Sequence, residues 1–386
     1  MAKLFEPITL RSITIANRTM VSPMCMYSAK DGVADDFHFV HLGRFALGGW
    51  GLVMAEATAV EQRGRITHGD LGLWFDQQIA PLARIASFLK KHGAIPAIQL
   101  AHSGRKASVQ RPWEGGGPLT EAQFRVGEKP WDVVGASALP FDEGWLRPAE
   151  LSISELEQVK GSFVASTRRA LEAGFEVIEM HAAHGYLLNS FLSPLSNHRA
   201  DQYGGSREAR FRFPLEVAEA MRSAWPDHLP MFVRLSATDY VEGGVTIDDT
   251  VEFAKNLRQI GVDVVDLSSG GISPKGIPPR GYGFQVPFAE SVRKTAGVTT
   301  ASVGLITRPE QAEQILSSGQ SDLIAIAREA LADPNWPLHA RRTLDQQGSD
   351  RFEGWPTQYQ VWLSKRACVL RELDAPVPDG DFAEVR

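Results

Sequence analysis

Short, nearly apolar runs alternate with longer amphipathic segments along most of the 386-residue chain. Eight of these runs have the length and composition of strands, and several are apolar at successive positions, as strands buried on both faces are. The predicted strands are TMVSPM (19–24), LVMAEAT (52–58), IPAIQLAH (95–102), FEVIEMHA (175–182), MFVRLSA (231–237), DVVDLSS (263–269), TASVG (300–304) and DLIAIAR (322–328).

The segments between the runs have the period of amphipathic helices, for example at 154–173, 207–224 and 249–260. Several end at a glycine a few residues before the next strand, as in KKHG, EAG, RQIG, KTAG and SSG. Glycine suits the left-handed position just after a helix. Ser154 and Glu157 have the spacing of a capping box and predict the start of one helix.

Eight strand-then-helix units predict an α/β fold, a single (β/α)8 TIM barrel formed by one domain over 1–386. The alternative is a doubly wound open sheet. The number of units favours the barrel, and no G-x-G-x-x-G follows the first strand, where a dinucleotide-binding sheet carries it.

Three parts of the chain lie outside the repeat. Residues 3–18 predict a hairpin that closes the bottom of the barrel. Residues 103–150 form a long insertion after strand three, and a loop of that length is typically a lid, a binding loop or disordered. The tail at 348–386 begins with aromatic residues and then becomes charged.

Composition excludes several classes of protein. The chain has 40 Lys and Arg against 46 Asp and Glu, a net charge of −6, so no basic excess points to nucleic acid or an anionic membrane. No secretory signal and no membrane span are expected. The two cysteines, Cys25 and Cys368, lie near opposite ends, which argues against a disulfide framework and favours the cytoplasm.

Polar side chains concentrate where the predicted strands end, which is where barrel enzymes place their active sites. Strand four ends in the most unusual cluster, His181, His184 and Tyr186. The loops after strands seven and eight, VGLIT and AIAREAL, have the location of a phosphate site. Arg234 places a positive charge in the mouth, which suits a cofactor that becomes anionic on reduction.

Four motifs carry a specific resemblance: SPMC-x-Y, IQLAHSGRK, HAAHGYLLNSFLSPLSNHRADQYGGS and AIAREALADPNW. Together they resemble the Old Yellow Enzyme family, from about residue 3 to about residue 365. The cysteine after SPM resembles the thermophilic-like branch of that family. The resemblance implies an FMN-dependent NAD(P)H oxidoreductase, an ene-reductase, on a (β/α)8 barrel.

The resemblance also implies roles for individual residues. The expected flavin-binding residues are Ser22, Pro23, Met24, Cys25, Ala57, Gln99, Arg234, Gly304, Ala327 and Arg328, the last three at the phosphate. His181 and His184 are expected to hold the carbonyl or nitro oxygen of the substrate, and Tyr186 to donate a proton. Tyr27 and Trp362 are expected to line the substrate pocket. NADPH or NADH would bind transiently, and the protein would be a homodimer or homotetramer.

The implied chemistry has a physical rationale. Hydride delivery to an enone, maleimide or nitroalkene develops negative charge on the substrate oxygen, and two imidazole N–H donors stabilise that charge where it appears. A phenol on the opposite face can then protonate the α-carbon.

Other interpretations of the same residues remain open. The His-x-x-His spacing could bind a metal with Glu179 or His102 as a third ligand, but no metal is expected, because residues three apart in a strand face opposite sides. Trp362 fits a subunit interface as well as the pocket. A barrel lyase lacks a Schiff-base lysine at a strand end, and a non-catalytic flavin-binding module would need neither Tyr186 nor both histidines.

Overall fold

A closed eight-stranded parallel barrel organises the chain in a computed structural model that describes residues 2–345 and 352–374. The strands are β1 (Ile8–Leu10), β2 (Ile13–Ile15), β3 (Thr19–Val21), β4 (Leu52–Ala59), β5 (Ile95–Ala101), β6 (Val134–Gly135), β7 (Ala149–Glu150), β8 (Val177–Ala182), β9 (Met231–Ser236), β10 (Val264–Ser268), β11 (Thr299–Ser302) and β12 (Leu323–Ile326). The strand order in the barrel is β10-β11-β12-β3-β4-β5-β8-β9.

Helices follow the barrel strands and form the outer layer. They are α1 (Asp36–Leu47), α2 (Ile79–Lys91), α3 (Glu121–Arg125), α4 (Ile153–Glu172), α5 (Leu187–Leu192), α6 (Arg207–Ala224), α7 (Ile247–Ile260), α8 (Val286–Ala296), α9 (Pro309–Ser317), α10 (Arg328–Ala332), α11 (Trp336–Leu344) and α12 (Thr357–Asp374). Short 3-10 helices lie at Lys3–Phe5, Gln62–Gly64, Asp76–Gln78, Gly104–Lys106 and Pro112–Glu114.

The barrel is confirmed, and the open sheet is excluded, because the last strand pairs with the first. Residues 324–326 of β12 pair in parallel with residues 19–21 of β3. All eight predicted strands enter the barrel in chain order. The glycines at the predicted helix ends have the expected positive φ, for example 96° at Gly261 and 66° at Gly297.

The barrel interior changes from apolar to polar along the strands. Near their amino ends, Val177, Phe232 and Val264 belong to one buried apolar cluster. Side chains two residues apart in a strand face the same side, so the next inward positions on these strands are polar. Those positions and the matching one on β5 are Glu179, Arg234, Asp266 and Gln99, and all are buried.

The predicted N-terminal hairpin is confirmed. Strands β1 and β2 pair antiparallel, with Leu10 opposite Ile13 and Ile8 opposite Ile15. Leu10 and Ile15 are buried in the same apolar cluster as Val177. The hairpin therefore covers the amino ends of the strands, and access to the interior is from the carboxyl ends.

The predicted helix cap at Ser154 and Glu157 was wrong by two residues. Helix α4 has Ser152 as its N-cap, and the Ser152 side chain accepts a hydrogen bond from the Glu155 N–H. The Glu155 carboxylate accepts one from the Ser152 N–H at 2.8 Å. The sequence LSISELE contains the Ser-x-x-Glu spacing twice, and the first copy caps the helix because Ser152 is extended while Ser154 is already helical.

The insertion at 103–150 has ordered structure of its own, including α3, β6 and the start of β7 at Ala149. It is anchored to neighbouring loops: the Trp131 indole N–H donates to the Arg63 carbonyl at 3.0 Å, and Arg105 donates to the Ile272 carbonyl at 2.6 Å. Residues 348–351 and 375–386 of the predicted tail lie outside the described residues. Among the helices that the structure describes, none is long and apolar enough to cross a membrane.

Candidate active site

The turn after β8 brings the predicted cluster together. The ring of His181 lies 5.2 Å from that of His184 and 5.0 Å from that of Tyr186, measured between centroids, both edge to face. His184 and Gly185 have φ of 60° and 76°, so the chain reverses immediately after the strand. This turn is why residues three apart, which would diverge in a strand, converge here.

A buried lysine from the insertion holds that turn. Lys106 Nζ donates to the carbonyl oxygens of His184 at 2.9 Å and Gly271 at 3.1 Å. It also lies 5.3 Å from the centroid of the Tyr186 ring. Burial and the neighbouring Arg105 lower the pKa of Lys106 to about 8. The sequence motif HSGRK contains this residue, but Lys106 lies beyond the end of strand three and was not predicted to have a role.

Each imidazole keeps one nitrogen without a hydrogen-bond partner in the described part of the chain. The Ala183 N–H donates to His181 Nδ1 at 3.2 Å, so in neutral His181 the proton is on Nε2. His184 Nε2 lies 2.7 Å from the Ser268 hydroxyl. The Ser268 hydroxyl also lies 3.4 Å from the Gln285 carbonyl oxygen, so its proton is best used on the much shorter contact with His184. That arrangement places the His184 proton on Nδ1.

Electrostatics keep these groups neutral. Burial and the positive charges of Arg234 and Lys106 lower the pKa of both His181 and His184 well below its ordinary value. Burial, with the nearby Cys25 and Tyr27, raises the pKa of Tyr186 well above its ordinary value. At neutral pH the site therefore contains two neutral imidazoles and a protonated phenol, and all three can donate hydrogen bonds.

Polar groups run across the barrel below the histidines. Gln99 Nε2 donates to Glu179 Oε1 at 2.7 Å, and Arg234 Nε lies 3.3 Å from Asp266 Oδ2. Burial, followed by the charge of Asp266, raises the pKa of Glu179 to about 8. Gln99 and Arg234 were predicted site residues, whereas Glu179 was considered only as a metal ligand and Asp266 was missed. The sequence signal for Glu179 and Asp266 was an acidic residue with apolar neighbours inside each of two predicted strands, 175–182 and 263–269.

A cavity of about 330 Å³ opens beside Arg234 at the carboxyl ends of β11 and β12. The predicted phosphate residues Gly304, Ala327 and Arg328 all line it. Gly304 has φ of 121°, and a Cβ there would lie 2.9 Å from Gln285 Nε2, so a larger residue would be strained and would crowd a side chain that also lines the cavity. Arg328 forms no ion pair with a described residue, which leaves its charge available for an anion.

The neighbouring wall comes from the extended segment after β3, the strand that pairs with β12; Ser22 is buried there, and Pro23, Met24, Cys25 and Tyr27 are half-buried. Glu56, which was not predicted as a site residue, supports this wall. It sits at a β-bulge between Ala55 and Ala57 and accepts a hydrogen bond from the Met26 N–H at 3.2 Å. Burial, Glu56 and Asp70 raise the pKa of Cys25, so its side chain is a thiol.

Trp362 is the predicted site residue that the structure does not bring to the others. Its side chain lies on α12, is 68% exposed, and has the Lys365 ammonium 4.8 Å from its ring. The buried residues beside α12 are Leu338, Phe352, Trp355 and Ala367, which form a separate small cluster.

The metal interpretation finds no third ligand. Glu179 is hydrogen-bonded to Gln99, and His102 Nε2 lies 2.8 Å from Glu61 Oε1. Within residues 2–345 and 352–374, no group of three or more His, Cys, Asp or Glu side chains is arranged to hold a metal ion.

A barrel with neutral imidazole donors, a fixed arginine and an anion-sized cavity at the carboxyl ends of its strands defines a class, the flavin-dependent barrel oxidoreductases. The chain belongs to the NADH:flavin oxidoreductase / NADH oxidase family, whose sequence model matches residues 3–347. The resemblance to the Old Yellow Enzyme family is thereby confirmed, and the protein is an oxidoreductase.

Individual relatives agree with this assignment. An NADPH dehydrogenase of Geobacillus sp. (strain WCH70) is 46% identical over 344 residues, which are 88% of this chain and 94% of that protein. A mutant of morphinone reductase in complex with tetrahydroNAD has a TM-score of 0.72 at 26% identity, covering 88% of this chain and 90% of that one. The Old Yellow Enzyme homologue from Zymomonas mobilis shares the fold, with a TM-score of 0.71 at 24% identity over 92% of this chain and 96% of that one.

Proposed function

We propose that the protein is an FMN-dependent ene-reductase that reduces activated C=C bonds in enones, maleimides and nitroalkenes at the expense of NADPH or NADH. The observation that carries the proposal is the pair of unpartnered imidazole nitrogens, His181 Nε2 and His184 Nδ1, beside the Tyr186 phenol. The relatives named NADPH dehydrogenase favour NADPH as the reductant.

The two histidines bind and polarise the substrate oxygen. A neutral imidazole donates one N–H and adds no full charge, so the two rings hold a carbonyl and stabilise the negative charge that develops on it. Their lowered pKa values keep them in this neutral form across the physiological range. Lys106 fixes the turn that carries His184 by binding its carbonyl oxygen.

Tyr186 supplies the proton to the α-carbon. Its raised pKa means that the phenol stays protonated until it is used, and the same burial keeps water from competing for the proton. Tyr27, half-buried in the segment after β3 with φ of 51°, lines the pocket in this proposal.

The residues present fit FMN, which when bound supplies hydride-transfer chemistry. Gly304, Ala327 and Arg328 would hold the phosphate in the cavity of about 330 Å³ that they line. Arg234, which lines the same cavity, would face the flavin ring together with Gln99. Four residues would pack against the ring: Ser22, Pro23, Met24 and Ala57. The buried Ser22 hydroxyl lacks a hydrogen-bond partner among the described groups.

Cys25 would lie beside the flavin and tune its reduction potential, as in the thermophilic-like branch that the SPMC motif resembles. Because its pKa is raised, the thiol and not the thiolate would act on the cofactor. A Cys25→Ala variant whose midpoint potential equals that of the wild type would remove this role.

We also propose that the protein is a cytoplasmic homodimer or homotetramer. Its two cysteines are both free thiols. Helix α12 exposes Val361, Trp362, Val369 and Leu373, an apolar surface suited to a subunit contact. Light scattering would test the oligomer, since a mass of one 42.3 kDa chain in solution contradicts it.

The test uses the flavin absorbance of purified protein under anaerobic conditions. NADPH should bleach the band and 2-cyclohexenone should restore it. His181→Ala should keep FMN and slow reoxidation by the alkene about a hundredfold, the usual cost of removing an oxyanion donor. Tyr186→Phe should also slow that step while FMN content is unchanged. Normal alkene turnover in His181→Ala, or a protein that does not bind FMN, overturns the proposal.

A further inference from the structure

Four buried polar side chains from consecutive barrel strands lie directly below the active-site histidines, and two of them, Glu179 and Asp266, have no role in the reaction derived so far. Glu179 is two residues before His181 on β8, so both side chains face the barrel interior. It pairs in register with Gln99 on β5, while Asp266 on β10 pairs in register with Arg234 on β9.

The hydrogen bond between Glu179 and Gln99 fixes the orientation of the Gln99 side-chain amide. Glu179 Oε1 lies 2.7 Å from Gln99 Nε2 and accepts its hydrogen bond. No described group donates a hydrogen bond to the Gln99 carbonyl oxygen. The amide is therefore held with its donor toward Glu179 and its acceptor free.

Charge gives this hydrogen bond its direction. Burial raises the pKa of Asp266, and Arg234, 3.3 Å from that carboxyl, opposes this shift by favouring its ionised form. Burial, followed by the Asp266 charge, favours a protonated Glu179. Glu179 Oε2 has no hydrogen-bond partner in the described chain, and neither carboxylate oxygen of Asp266 has one. The proton of Glu179 therefore belongs on Oε2, and Oε1 remains an acceptor.

We propose that Glu179 is a positioning residue, which holds the Gln99 carbonyl oxygen toward the cofactor and makes the site select a flavin ring with an N–H at its pyrimidine edge. This inference rests on the proposed function, since it requires FMN in the barrel mouth. A reversed Gln99 amide would point its NH₂ group toward the cofactor instead. Two donors, this NH₂ group and the N–H of the flavin ring, would then face each other.

The test measures binding of FMN and of 3-methyl-FMN, which lacks that N–H, to flavin-free protein by quenching of flavin fluorescence. Wild-type protein should bind the methylated analogue at least about tenfold more weakly, the ratio that one hydrogen bond can supply. Glu179→Met should lose most of this preference. Glu179→Gln should keep it, because its carbonyl can still accept from Gln99 while its NH₂ faces Asp266.

Two further variants make the result decisive. Glu176→Met, three residues earlier at the surface end of the strand, where it pairs with Lys90, is the matched control and should behave as wild type. Glu179→Asp keeps the carboxyl but is one methylene too short to reach Gln99, so it tests the contact if Glu179→Met does not fold.

The outcomes separate the two proposals. Wild-type protein that does not bind FMN contradicts the proposed function. The role of Glu179 is overturned, and the proposed function left standing, if wild-type protein binds FMN without preference over the analogue, or if Glu179→Met or Glu179→Asp binds FMN with the wild-type preference.

Discussion

At the scale of the residue, the chemistry depends on which nitrogen of each imidazole carries its proton. His181 is fixed by the backbone N–H of Ala183, but His184 is fixed by one hydroxyl, that of Ser268. Because neutral imidazole has a single N–H, a change of tautomer at His184 would turn a donor toward the substrate into an acceptor. In the proposed function, the second donor toward the substrate is thus controlled by Ser268.

Ser268→Ala is accordingly expected to reduce kcat/KM for 2-cyclohexenone by about tenfold to a hundredfold, through loss of one aligned donor. The ¹⁵N chemical shifts of His184 should show the mixed tautomers that this change allows. Ser268→Thr keeps the hydroxyl and is expected to restore both readouts. If His184 in Ser268→Ala keeps its proton on Nδ1 and the rate is unchanged, the hydroxyl does not set the tautomer. FMN affinity is measured in parallel because Ser268 also lines the cofactor cavity.

At the scale of the element, the sequence predicted the strands well because each strand end is marked by a change from apolar to polar residues. Helix starts were less certain, since LSISELE offers two equivalent capping boxes and only the backbone of the folded chain distinguishes them. Glu179 and Asp266 were not assigned to the cofactor site because they lie within strands, where a buried carboxyl is unfavourable unless partners from other strands compensate. The closure of the barrel determines which residues of other strands become these partners, and the sequence of a single strand does not reveal it.

The position of the cap can be tested directly. Ser152→Ala should lower the free energy of unfolding by about 1 kcal/mol, the typical cost of losing an N-cap side chain. Ser154→Ala removes a hydroxyl only two residues away, inside the first turn, and should have a much smaller effect. Urea denaturation followed by circular dichroism measures both. An equal or larger loss in Ser154→Ala would place the cap where the sequence alone suggested.

At the scale of the whole molecule, the polar layer of the barrel makes folding depend on pH. Glu179 has a pKa of about 8 in the folded protein because burial and Asp266 disfavour its charge, and an ordinary value near 4.5 when unfolded. Between these values the folded state binds a proton that the unfolded state does not. By linkage, this contribution to stability is present at low pH and is lost as pH rises toward 8.

For the flavin-free protein, the contribution of Glu179 should decrease by about 1.3 kcal/mol per pH unit between pH 6 and pH 7.5, close to the slope of about 1.4 for one fully bound proton. The measurement is the urea midpoint at several pH values in wild type and Glu179→Gln, which cannot titrate and should lose this slope. Glu61→Gln is the control: although burial opposes it, His102 and Arg63 lower the pKa of Glu61 to about 2, so that carboxylate stays ionised throughout the window. A slope that persists unchanged in Glu179→Gln would assign the bound proton to another group, with Asp266 the next to replace because its pKa is also raised by burial.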